Sequence, residues 1–91
     1  MSFVFWEDSA VEDVDNMQTT VNPQYHAAIG TAVAEIHDKL TRDPVGFSES
    51  RAGGFRIIME LPLAAWFWLS ADGGRVNVLH VWFVTRRFRS P

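Results

Sequence analysis

The sequence has 91 residues, 47% of them hydrophobic, with no cysteine and a formal net charge of −3. That is chain enough for one compact domain with a modest core, and it excludes disulfides and thiolate chemistry. No run reaches the roughly 18 to 20 apolar residues of a membrane helix, and the opening MSFVFWEDSA lacks the basic region of a signal peptide. A single domain over residues 1–91, cytoplasmic and off the membrane, with its N-terminus kept, is expected.

Residues 2–6, SFVFW, are aromatic and β-branched, as a first strand requires. Ser9 to Glu12 then has the S-x-x-E spacing of a capping box, and Ala10, Val14, Met17 and Val21 recur at helical spacing behind it. Asn22-Pro23 supplies a cap followed by a proline at the first helical position. Tyr25, Ala28, Ile29, Ala32, Val33, Ile36 and Leu40 trace one apolar stripe, which predicts a second helix over about 23–41. Two amphipathic helices joined this tightly form an antiparallel hairpin laid on an apolar surface.

TRDPVGFSESRAGG has the composition of a loop. Three strand-like runs follow, at 55–61, 64–70 and 75–84, with Pro62 in one turn and Ala71-Asp72-Gly73-Gly74 in the other. Such short links impose antiparallel pairing. The predicted architecture is α+β: a β-α-α-β-β-β order in which a helical hairpin packs on one face of an antiparallel sheet. Strict alternation along the last strand puts Val76, Val78, His80, Trp82 and Val84 on one side and Asn77, Leu79, Val81, Phe83 and Thr85 on the other. Both sets are mostly apolar, so this strand belongs in the middle of the sheet. The face away from the helices, with Trp66, Trp68 and Trp82 as its aromatic candidates, then becomes a binding groove or a homodimer surface.

Charge is divided along the chain. Residues 1–43 hold eight acids against Lys39 and Arg42, whereas residues 44–91 hold six arginines against Glu49, Glu60 and Asp72. The halves therefore carry −6 and +3, which orients a partner if they fold onto different sides. Three of the arginines, Arg86, Arg87 and Arg89, crowd the end of the last strand. With Arg51 they form the candidate phosphate-binding or partner-binding cluster. His26, His37 and Asp38 lack a convergent third ligand, so neither a metal nor another cofactor is expected.

The element order, with the stretches DPVGFSESRAGGFRIIM and PLAAWFWLSADGGRVNVLHVWFVTRR, resembles the RelE/ParE superfamily of toxins from type II toxin–antitoxin systems over most of the chain. The resemblance implies a RelE/ParE-like toxin domain neutralised by an antitoxin protein, acting either by cutting mRNA on the ribosome or by poisoning DNA gyrase. Cleavage of RNA by its own 2′-hydroxyl needs a proton acceptor, a proton donor and cations at the phosphate. Carried over by position, Arg56 and Arg86 match expected basic residues. Ile58, Ala65 and Phe83 replace a basic residue, an Arg and a His, and no Tyr follows Arg86. Arg56, His80 and Arg86 are therefore the candidate catalytic set, with Glu60 as a further proton-transfer group. The competing expectation is a binding or dimerisation module that keeps the fold without the chemistry.

Overall fold

A computed structural model describes residues 1–84. Five strands, β1 (Phe3–Trp6), β2 (Glu49–Ser50), β3 (Phe55–Glu60), β4 (Leu63–Leu69) and β5 (Arg75–Phe83), form one sheet in the order β1-β5-β4-β3-β2. The helices α1 (Asp8–Thr20) and α2 (His26–Arg42) lie between β1 and β2 in sequence. The predicted α+β order is present, with β5 inside the sheet between β1 and β4, although β4 holds the middle, and β3, β4 and β5 pair antiparallel. Two features lie outside the expectation. A two-residue strand, β2, edges β3, and β1 runs parallel to β5, making the sheet mixed. The parallel pairing follows from the helices: two antiparallel helices between β1 and the later strands let the chain return without a hairpin beside β1.

The core lies between the helices and one sheet face. Ile29, Ala32, Ile36 and Leu40 from α2 meet Ile58, Leu63, Ala65, Phe67, Val76, Val78 and Val81, all almost fully buried. Burying an aliphatic or aromatic side chain of this size contributes about 1.5–3 kcal/mol. Asp43, Pro44 and the following turn stop α2, with the Asp43 carboxylate accepting the Gly46 amide at 3.0 Å.

Alternation in β5 is broken once. Trp66 pairs with His80 but Phe67 pairs with Val78, so Leu79 is an extra residue, a β-bulge. Val76 and Val78 before it, and Val81 and half-buried Phe83 after it, consequently all face the helices. His80 and Trp82 turn to the opposite face. The expected two-face division of this strand is corrected accordingly, since Val76 and Val78 do not share a side with His80 and Trp82.

The capping box is also corrected. Helix α1 begins two residues earlier with Glu7 at its cap, and the Ser9 hydroxyl donates to the Leu79 carbonyl at 2.6 Å. Asn22 does cap, accepting the Gln24 amide at 3.0 Å, although the residues it starts, Pro23–Tyr25, form a 3₁₀ turn ahead of α2.

Candidate functional site: the open face of the sheet

With both helices on one side, the other face of the sheet is uncovered by any described element. Cross-strand register assigns its residues. Phe55 pairs with Trp68, Ile57 with Trp66 and Met59 with Ala64. On the other side of β4, Ala64 pairs with Trp82, Trp66 with His80 and Trp68 with Asn77. Phe5 pairs with Asn77 and extends the row to β1. Phe55 and Trp66 stack, with centroids 5.5 Å apart and planes 29° from parallel. Trp82, Phe5 and Met59 are exposed on this face, while Trp66 and Trp68 are half-buried among their neighbours. The three tryptophans singled out in the sequence thus converge.

His80 stands in this row. Its Nδ1 lies 3.0 Å from Asp13 Oδ2 of α1, and the same oxygen accepts the Val81 amide at 2.9 Å. The imidazole side chain is 62% exposed. A carboxylate at Nδ1 fixes the orientation of the ring and leaves Nε2 outward. Asp13 was not legible as a site residue, because its partner is 67 residues away and the acid reads as part of a wet helix face.

Beyond the end of β1, α1 completes the edge of β5. The Glu7 amide donates to the Val78 carbonyl (2.9 Å), Ser9 Oγ to the Leu79 carbonyl, and Asp13 receives the Val81 amide. Ser9 and Asp13, one helical turn apart, occupy hydrogen-bonding places that a sixth strand would fill.

The remaining candidates separate from this row. Arg56 lies on the helix side of β3, where its Nε donates to Ser48 Oγ at 2.7 Å and its Nη2 to the Val45 and Ser48 carbonyls. The same serine donates to the Pro44 carbonyl. Arg56 thus ties down the 43–48 loop, and the structure does not bring it together with His80. Glu60, also on the helix side, receives Lys39 Nζ at 2.6 Å. Arg51 sits at the rim beyond β3, beside Ile57 and Met59 in a hollow of about 150 Å³, with Glu49 Oε1 3.5 Å away. Arg86, Arg87 and Arg89 lie outside the described residues, as does Thr85.

Ile58 and Ala65, where the resemblance places basic residues, are buried under the helices. Phe83 meets the Tyr25 ring edge-on at 5.5 Å. These positions serve the core, and cations there would face no open surface. Among the described residues no group of three His, Cys, Asp or Glu side chains could hold a metal, and no helix is long and apolar enough to cross a membrane.

A second concavity lies between the helices, an apolar groove of about 270 Å³ lined by Trp6, Val11, Val14, Asp15 and Val33. Trp6 is held there by its Nε1, which donates to His37 Nδ1 at 3.0 Å.

No protein-family model and no curated protein matches the chain. Solved structures do. A chain of the toxin–antitoxin complex RelBE2 from Mycobacterium tuberculosis superposes with a TM-score of 0.67 at 18% identity, over 90% of this chain and 96% of that one. A chain of the chromosomal ParDE toxin–antitoxin system of P. aeruginosa gives 0.64 at 18% identity, over 93% and 98%. The YoeB/ParE toxin from Agrobacterium tumefaciens gives 0.65 at 20% identity, over 93% and 100%. The chain has the RelE/ParE toxin fold. On this fold the chain presents an open face that is aromatic and aliphatic along the middle, with a single imidazole and with the described arginines Arg51 and Arg75 at opposite margins.

Proposed function

We propose that this chain is the toxin-type member of a toxin–antitoxin pair in the cytoplasm, and that it acts by binding a protein target through its open aromatic sheet face. The observation carrying this reading is the row Phe5, Ile57, Met59, Trp66, Trp68 and Trp82, which no described element covers. Fixed indoles on a rigid sheet supply desolvated anchors for a protein partner, whereas RNA cleavage asks for several cations around the phosphate. DNA gyrase is the target class that fits a toxin without chemistry of its own. An antitoxin fits the other side of the molecule. The groove between α1 and α2, apolar with Asp15 at its lining, suits the apolar side chains of an amphipathic segment that orders on binding.

A second reading is supported by the geometry at His80. An exposed imidazole oriented by Asp13 and neighboured by Trp66 and Trp82 has the parts of a proton acceptor beside stacking platforms. In that reading the chain cuts mRNA on the ribosome, His80 takes the 2′-hydroxyl proton, and Arg51, Arg86, Arg87 and Arg89 hold phosphate.

Induced expression without the partner, followed through labelled thymidine and labelled amino acid in the first minutes, separates the two. Thymidine incorporation falling first supports the gyrase-type binder. Amino-acid incorporation falling first, with His80→Gln harmless, supports mRNA cleavage. Normal growth with folded, soluble protein overturns the toxin reading and leaves a non-toxic binding or dimerisation module.

A further inference from the structure

The outer edge of β1 carries hydrogen-bonding groups without a described partner. In parallel pairing with β5, the Phe3 amide donates to the Gly74 carbonyl and the Glu7 amide to the Val78 carbonyl. Residues 3, 5 and 7 therefore turn their backbone groups inward, and Val4 and Trp6 turn theirs outward. Among the described residues no hydrogen bond reaches the Val4 or Trp6 backbone. Natural sheets blunt such edges with charge, proline, bulges or extreme brevity. The opposite edge follows that rule, since β2 is two residues long and begins at Glu49 beside Arg51. The sequence of β1, FVFW, contains none of these devices.

We infer that the occupant of this edge is a second copy of the chain, added antiparallel across a two-fold axis through Phe5. The register follows from the backbone. Val4 and Trp6 of one copy meet Trp6 and Val4 of the other as hydrogen-bonded pairs, giving four N–H···O bonds. Phe5 meets the second copy's Phe5 as a non-hydrogen-bonded pair, with Cα atoms about 4.5 Å apart. Both phenyls then lie on the open face, where Phe5 is otherwise 49% exposed.

Charge complementarity selects this direction. Exposed Arg75 lies beside Phe3 at the start of β1, whereas Glu7 and Asp8 lie at its end. The two-fold arrangement sets Phe3 opposite the second copy's Glu7, with Arg75 one strand further in. A basic corner of each copy meets an acidic corner of the other, twice. The result is a continuous ten-stranded sheet with all four helices on one side and two open faces joined on the other. The central tryptophans remain free, while Phe5 is shared with the row of the proposed target-binding reading and Trp6, which lines the groove between the helices, joins the pairing through its backbone.

A four-residue edge makes a small interface, so a reversible dimer is expected, read by sedimentation velocity from about 1 to about 200 µM. Phe5→Lys places like charges opposite one another and should raise the dissociation constant at least about tenfold with unchanged far-UV circular dichroism. Arg75→Glu should weaken association, and Arg75→Glu with Glu7→Lys should restore it. That rescue keeps the test decisive if Phe5→Lys fails to fold. Trp82→Lys should leave the dimer intact. A wild-type chain that stays monomeric throughout the range overturns the inference. So does a dimer indifferent to both Phe5→Lys and Arg75→Glu, or one dissolved by Trp82→Lys.

Discussion

Asp13 and Val81 are joined across the contact between α1 and β5. One carboxylate oxygen accepts the Val81 amide at 2.9 Å and faces His80 Nδ1 at 3.0 Å. Val81 is buried, so removal of the acceptor leaves an amide without a partner. Asp13→Ala is expected to cost about 1–3 kcal/mol in urea denaturation. Asp13→Asn should cost less, because the amide oxygen still accepts. Equal losses in the two variants would mean that the carboxylate charge, and not the acceptor, matters.

Arg56 is expected to matter for stability and for the loop it holds. Arg56→Ala should lower stability by about 1–3 kcal/mol and speed hydrogen exchange across residues 43–48, since its guanidinium bonds Ser48 Oγ and two loop carbonyls. Growth arrest should survive at a temperature where the variant is folded. Arrest lost from a fully folded Arg56→Ala chain would return this residue to the working surface.

Trp82 and Phe67 should behave oppositely. Phe67 is fully buried, and Phe67→Ala should cost about 3–5 kcal/mol. Trp82 is 41% exposed, and Trp82→Ala should cost no more than about 1 kcal/mol, in keeping with a partly exposed site. The Trp82 variant should nevertheless lose target binding and growth arrest. Retained arrest in folded Trp82→Ala would remove the open face from the proposed function.

Asp72 gives the β4–β5 hairpin a pH dependence. Its carboxylate accepts the Gly74 amide at 2.9 Å and the Ser70 hydroxyl at 2.7 Å, which lowers its pKa below the ordinary 3.8, the amide being the larger cause. A depressed folded-state pKa contributes stability that is present above the unfolded value and lost as the pH falls through the folded one. The stability difference between wild type and Asp72→Ala should therefore be full at neutral pH and shrink as the solution is acidified below 3.8. A difference that stays constant through that range would assign the effect to turn geometry alone.

Local chemistry was legible where its causes were local. The stripe Ile29, Ala32, Ile36 and Leu40 marked α2, Asn22-Pro23 the capped 3₁₀ turn ahead of it, and Asp72-Gly73-Gly74 a hairpin. The convergence of Trp66, Trp68 and Trp82 followed from strand alternation and antiparallel pairing. What escaped depended on distant partners. Ser9 has the spacing of a helix cap but answers a carbonyl 70 residues on. Arg56 reads as a site cation but meets Ser48 and Val45 on the helix side. The parallel seat of β1 is decided by how the two helices return the chain, which no local pattern encodes.

The extra residue Leu79 acts in β5 as a single inserted letter acts in a code read two at a time. Everything downstream changes register with respect to inside and outside. Were Leu79 paired regularly instead of bulged out, unbroken alternation would carry His80 and Trp82 beneath the helices and expel Val81 and Phe83 into water. Which side chains form the molecule's binding surface and which its interior thus depends on where one residue of β5 is left unpaired.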